Sequence, residues 1–421
     1  MSGGRVSRCR WVVFGVLAIG YILVYFHRLC TAVVANDMMR DLEAGATLAG
    51  FLAAAYFYPY ALMQIPAGLL ADSWGPRKTI SLFLVIAAGG SVLLGAAQGP
   101  SLAIAGRTLV GAGVAMLFVA TLKVLTRWFT AREFPAMASA LIVVGGVGSL
   151  SATAPFAWLS EWLGWRASFV SIGLATIAVA AAVWLFVRDT PADAGLPPIA
   201  DAPGEAAPPA GVLAAVVTVL RRPAFWPLAV WFFFDLAVFF SFAGLWGGPY
   251  LEHVYGIDKA HAGRVLAMYA IGMIVGAPLW SFAQTRIGMR HKPLLVVSSA
   301  CLMGITAVWA FYTGTLPLEA QYGMCLGLGV FSNAIAGIVF AATKELFPTA
   351  IAGTALGLVN FFPFMGGAVF QPVLGAVLEP YEVAKGVFSA EGYQRAFLVL
   401  LACSAAALLA ALCMQERGRK A

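Results

Sequence analysis

An arginine and an aspartate stand in apolar surroundings where charge is costly. Tyr21, Tyr25 and Arg28 recur at i, i+4 and i+7, so they share one helical face. A guanidinium turned to hydrocarbon is expensive, so Arg28 should face the interior, where its planar fork suits a carboxylate or a phosphate. Its other readings are a structural ion pair or an arginine snorkelling to the outer surface. Asp235 lies about twelve residues past Pro223 in another apolar run, as the only acid placed deep inside one. Such a carboxyl can carry a proton reversibly, hold the ammonium of a zwitterion, pair with a base, or serve as a hydrogen-bonded structural group. Opposite charges from Arg28 and Asp235 across a shared cavity would fit an amino acid or small peptide better than a sugar phosphate. A phosphate site would call for a second base near Asp235.

Further candidate substrate contacts come from polar and aromatic stripes. Tyr56, Tyr60 and Gln64 share a face of one run, Asn360, Phe364 and Gln371 share a face of another, and Asn333 is a lone polar group in a third. Aromatic residues at helical spacing pack more often than they bind, so the tyrosine hydroxyls and the amides are the better candidates. Arg107 lies about two turns inside its run and can snorkel to the outer interface. Enzymatic chemistry finds no support, since the chain has no phosphate-cradling P-loop, no Gly-x-Ser-x-Gly, no paired carboxylates and no histidine cluster. The six cysteines are scattered without metal or disulfide spacing and read as small buried hydrophobes. The expectation is a non-enzyme without cofactor or metal, driven by an ion gradient or by the substrate's own gradient.

The elements that must position these residues are membrane helices. Of 421 residues, 61% are hydrophobic and 11% charged, against about 25% charged in soluble domains. Twelve spans are predicted, over 11–35, 47–70, 79–98, 101–126, 134–159, 165–187, 224–250, 262–284, 293–313, 318–342, 350–377 and 394–414. The Pro-, Ala- and Gly-rich stretch 188–222 reads as a flexible linker, giving an N-terminal six-helix bundle over 1–187 and a C-terminal one over 223–421. With the N-terminus inside, seventeen Lys and Arg fall on the cytoplasmic side and six outside, so both termini are cytoplasmic. The net charge of +7 then follows from topology and implies no nucleic acid.

The polar loop Gly68–Lys78 interrupts two long apolar runs, and 281–291 echoes it: Gly75 is matched by Gly288 and Arg77 by Arg290, at an offset of 213. Asp72, Gly75, Arg77 and Lys78, with Arg127 and Glu345 near helix ends, are the candidate gating latch. Gly145, Gly146 and Gly148, and Gly366, Gly367 and Gly375, allow close helix approach in the fifth and eleventh spans.

That loop, the pattern Arg107-x-x-x-Gly111-x-Gly113 and twelve spans split six and six resemble the major facilitator superfamily over essentially the whole chain. The N-terminal third, through Tyr25-Phe26-His27-Arg28, Tyr56 to Gly68 and Gly75-Pro76-Arg77-Lys78, is similar to the bacterial Pht (phagosomal transporter) group, associated with uptake of amino acids and other small metabolites. Arg28 also sits where the organic-anion and sugar-phosphate branches carry a first-span arginine. The resemblance implies an all-α membrane protein of twelve transmembrane helices in two pseudo-symmetric six-helix bundles. It implies a conformational or proton-coupling role for Arg107, beside that of Asp235. The expected function is a secondary active transporter that imports a small polar metabolite (amino acid, small peptide or organic anion) with protons by rocker-switch alternating access. The expected setting is a monomer in the bilayer of a bacterial inner membrane. An efflux antiporter remains open, although Pro155 comes too late after Gly148 for the Gly-Pro signature of drug/proton antiporters. So does a non-transporting sensor on the same scaffold.

Overall fold

Residue types around these helices leave the backbone little choice. Where side chains are apolar all round, only a helix satisfies every peptide group from within the segment. The computed structural model describes residues 2–130, 132–197, 199 and 212–414. Among them, eleven helices are long and apolar enough to cross a membrane, and the shorter Ala136–Ser151 completes twelve spans. Much of the predicted linker 188–222 lies outside the described residues; the part that is described includes a short helix, Val212–Leu220.

The spans run Ser2–Leu29 with Thr31–Asp41, Ala46–Ser73, Pro76–Gly95, Pro100–Ala115 with Leu117–Trp128, Phe134–Ser151, and Ala154–Phe186. Helical geometry breaks at Gly164 (φ 76°, ψ 157°), where the chain turns from the fifth span's continuation into the sixth. The second half follows as Trp226–Ser241 with Gly247–Tyr255, Lys259–Thr285, His291–Tyr312, Leu318–Phe331 with Ala336–Leu346, Thr349–Leu378 and Ala390–Cys413. A two-stranded hairpin, Glu382–Ala384 with Val387–Phe388, precedes the twelfth.

Local chemistry sets the ends. Thr130 and Glu133 form a reciprocal capping box before the fifth span: Glu133 Oε2 accepts from Thr130 N (3.1 Å) and Thr130 Oγ1 from Glu133 N (3.3 Å). Asp258 caps the eighth span by accepting from His261 N, and Ser389 caps the twelfth. Gly75 stands at φ 86° before the third span and Gly288 at φ 76° in the corresponding loop. A left-handed turn thus recurs at both ends of the predicted repeat.

The interruptions repeat as well. The first span breaks at Cys30, and the seventh has a π-helical segment over Phe242–Trp246. The fourth breaks at Met116 and the tenth at Ser332, which has φ −122°, ψ −94° before a 3-10 turn over Asn333–Ile335. Cys30 and Gly244 are 214 positions apart, Met116 and Ser332 216, close to the offset of the loops. Spans 1 and 7 therefore share one kind of weak point and spans 4 and 10 another at a different level, since Tyr21 stacks on Phe118 and Ser332 Oγ donates to Asp235. The first, fourth, seventh and tenth predicted spans miss these breaks, because a helix of uniform hydropathy gives no sign of where its hydrogen-bond ladder shifts.

The halves meet most tightly on the face away from the chain ends. A methyl group added to Gly50 would collide with backbone at Gln371 and Pro372, one on Gly375 with backbone at Ala46, and one on Gly248 with the carbonyl of Ala32. Around these close approaches lies a polar rim: Asn36 donates to Glu252 Oε2 (2.7 Å), Lys259 pairs with Asp37, and Glu379 Oε2 accepts from Thr47 N (2.8 Å). This distal seal is shut.

Candidate substrate-binding site

Arg28 is the centre of the structure's most unusual polar environment. It is buried, and its Nη2 donates to Tyr60 Oη at 2.9 Å. Its guanidinium carbon lies 4.5 Å from the ring centre of Tyr25, 4.9 Å from Tyr60, 4.9 Å from Phe364 and 5.9 Å from Phe240. Two rings come from the N-terminal half and two from the C-terminal half. Among the described residues no carboxylate pairs with Arg28, and its buried Nε has no hydrogen-bond partner. The ion-pair and snorkelling readings of Arg28 therefore do not describe it; aromatic faces and the Tyr60 hydroxyl offset part of the charge.

A layered stack extends from this cage into the fourth span. Tyr60 stacks on Tyr56 (5.6 Å, 21°), and the Arg107 guanidinium sits 5.1 Å from the Tyr56 ring. Arg107 donates to the carbonyl of His27 (2.9 Å), while its Nε and Nη2 are buried without partners. Snorkelling was open for Arg107 on position alone, and the structure corrects it: the side chain is 1% exposed and turned toward the first span. Gly111, one turn along on the same face, packs on the backbone of Tyr56, and Gly113, on another face, on that of Phe83.

The other predicted residues sort into three groups. Tyr21 stacks on Phe118 and meets Tyr25 edge-on, beside the cage. Tyr56 Oη lies 3.4 Å from the carbonyl of Val24, and Gln64 and Asn360 join the halves through a 3.1 Å bond from Asn360 Nδ2 to Gln64 Oε1. Gln371 instead serves the seventh span: its Nε2 donates to the Phe240 carbonyl (2.9 Å) next to the π-helical segment, and its own carbonyl accepts from Trp246.

Asp235 and Asn333 belong to a separate locus. Asp235 Oδ2 accepts from Ser332 Oγ at 2.6 Å, at the break in the tenth span, and Asp235 Oδ1 is buried without a partner. Asn333 follows in the 3-10 turn, half-buried. Phe240, which touches Arg28, lies five residues on, about 140° around the helix from Asp235. The two charges are thus on different faces of the seventh span rather than opposed across one contact. Ser332 and Phe240 were missed by sequence reasoning: a serine and one phenylalanine among many carry no distinguishing signal.

The gating candidates lie toward the face of the chain ends. Arg77 N donates to Asp189 Oδ1 (2.7 Å), and its guanidinium bonds the Trp184 carbonyl and stacks 4.4 Å from that ring. Glu345 meets His291 Nε2 at 3.1 Å, Lys78 is exposed, and Arg127 occupies the last turn of the fourth span. These pairs of Arg77 and Glu345 stay within their own halves. The side chain of Asp72 lies outside the described residues.

The model of the Major Facilitator Superfamily matches residues 17–372. The chain belongs to that superfamily. It is similar to the hexuronate transporter of Escherichia coli (strain K12), 26% identical over 399 residues, 89% of each chain. It is also similar to the probable sulfoacetate transporter SauU of Cupriavidus necator (23%, 88% of each) and to the D-galactonate transporter of Escherichia coli O6:H1 (24%, 91% of this chain and 93% of that one). Among solved structures, a bacterial homologue of the lysosomal transporter Spinster, inward-facing and unoccupied, superimposes with a TM-score of 0.73 at 19% identity, covering 96% of this chain and 97% of that one. A D-xylose–proton symporter gives 0.71 at 14%, covering 96% and 97%. The fold is the twelve-helix bundle of this superfamily, and the protein is a multi-pass membrane transporter.

Proposed function

We propose that this transporter carries a small organic anion of the sugar-acid class, whose carboxylate is gripped by Arg28. The observation that carries the reading is the buried guanidinium with an unpartnered Nε, held where both halves meet and left without a carboxylate of its own. Burying such a charge is costly, and an incoming anion supplies what the aromatic cage lacks. The relatives transport hexuronate, D-galactonate and sulfoacetate by their names, and a carboxylate or sulfonate head is what those compounds share. Tyr25, Tyr60, Gln64 and Asn360 would orient the remainder through hydroxyl and amide hydrogen bonds. A zwitterionic substrate is favoured less than an anion, because Asp235 faces Ser332 and not the cage.

In this reading Asp235 carries the coupled proton. It has one hydrogen bond, a bare second oxygen and a neighbouring break in the tenth span, the kind of discontinuity that moves in alternating access. The shut distal seal leaves the site to open toward the chain ends, and the excess of basic residues on that side supports a cytoplasmic placement in a bacterial inner membrane. This state is compatible with import coupled to protons, the direction the proposal takes, with the proton offsetting the charge of the anion. The test is counterflow and calorimetry on purified protein with D-galacturonate, D-glucuronate, D-galactonate, neutral galactose and alanine. Saturable binding of an acid with none of galactose supports the reading; tighter binding of galactose or alanine overturns it.

A further inference from the structure

A groove on the lipid-facing side, outside the transport path, is built to hold something. It lies between the third and sixth spans, near the face of the chain ends, and encloses about 590 Å³, within the roughly 300–1,000 Å³ of small-molecule sites. Leu82, Val85, Ile177, Ala180 and Ala181 form its apolar length, and Trp74 and Trp184 stand at one end with Lys78. Most of these side chains are exposed on the protein's outer surface. Ser81 lines the groove one turn from Lys78; it is 8% exposed, and its hydroxyl is buried without a hydrogen-bond partner. A hydroxyl left bare in a membrane helix is unusual, because it ordinarily bonds its own helix carbonyl as Thr79 does to Gly75.

We propose that this groove binds one anionic glycerophospholipid. Its phosphate would sit at the Lys78 ammonium, a glycerol ester or phosphate oxygen would accept from Ser81, and an acyl chain would lie along Leu82, Val85, Ile177 and Ala180. The chemistry is graded the way such a lipid is: tryptophan and a cation at the headgroup level, one hydrogen-bond donor beneath, then hydrocarbon. The nearby acid, Asp189, is engaged by the backbone of Arg77, and the Arg77 guanidinium stacks on Trp184, so the local balance at the lip remains positive. The same turn carries the gating candidates, so an occupant would brace the third span against the sixth beside them.

Native mass spectrometry tests this on the purified full chain with phosphatidylglycerol, phosphatidylcholine or inorganic phosphate added. One phosphatidylglycerol should be retained in preference to phosphatidylcholine. Lys78→Gln should lower that occupancy about fivefold, the effect of one basic residue at an anionic lipid surface. Ala181→Trp fills the groove from its exposed rim and should abolish the adduct, with its melting temperature showing that it folds. Unchanged phosphatidylglycerol retention in folded Ala181→Trp overturns the proposal, as does equal retention of phosphatidylcholine. Displacement of the lipid by millimolar inorganic phosphate would overturn it in favour of a free-anion site.

Discussion

Replacing Arg28 by lysine separates charge from shape. The guanidinium bonds Tyr60 Oη, keeps an unpartnered Nε and sits among four rings. Lysine keeps the positive charge and loses the second arm that would grip a carboxylate. One charge-assisted hydrogen bond is worth about 1.5–3 kcal/mol. Taking about 2 kcal/mol for the lost arm, Kd for D-galacturonate should rise about thirtyfold at 25 °C. Weaker stacking should cost a further ~1 kcal/mol of folding stability, a few degrees in melting temperature. Calorimetry gives the affinity and thermal unfolding the stability, both on the same detergent preparation. A Kd within twofold of wild type, accompanied by a lower melting temperature, would refute the substrate role and leave Arg28 a structural group.

Asp235→Asn should remove pH-driven accumulation in proteoliposomes while counterflow persists; retained accumulation excludes Asp235 as the proton carrier. Gly50→Leu should keep the distal seal from closing, because its side chain meets the backbone of Gln371 and Pro372. Labelling of a cysteine placed at Asn36 should then rise several-fold while net uptake is lost, and unchanged labelling would contradict the seal. Lys259→Gln removes a part-buried rim pair with Asp37, which keeps Arg40 as a partner, at a cost of about 1 kcal/mol. It should therefore raise the same labelling about threefold, and less so in high salt; no change would assign the closure to shape alone.

Much of this architecture was legible because hydropathy, the two polar loops and the Gly-Pro turn report on membrane crossing directly. Gly75 and Gly288 were matched by sequence and share a left-handed backbone conformation, so the duplication was readable at its turns. The breaks at Cys30, Met116 and Ser332 and the π-helical segment after Ser241 were not, since they arise from packing between helices and leave residue composition unchanged. For the site, helical spacing rightly placed Tyr25 and Arg28 together, and Tyr56 with Tyr60. Spacing within one helix says nothing about rotation against another. That is why Asp235 appeared opposed to Arg28 when it faces Ser332, and why Gln371 serves the backbone of the seventh span. The closure of the distal face through Asn36, Asp37, Glu252 and Lys259 depends on contacts more than 200 residues apart in sequence, which no local pattern announces.

The rings around Arg28 have a bearing on the return half of the cycle. A carrier whose cation stood bare when unloaded would be held back from resetting and would be driven toward one-for-one exchange. Here Tyr25, Tyr60, Phe240 and Phe364 surround Arg28 with electron-rich faces drawn from both halves. In the proposed reading this partial shielding lowers the cost of returning without a passenger, which favours net flux over one-for-one exchange.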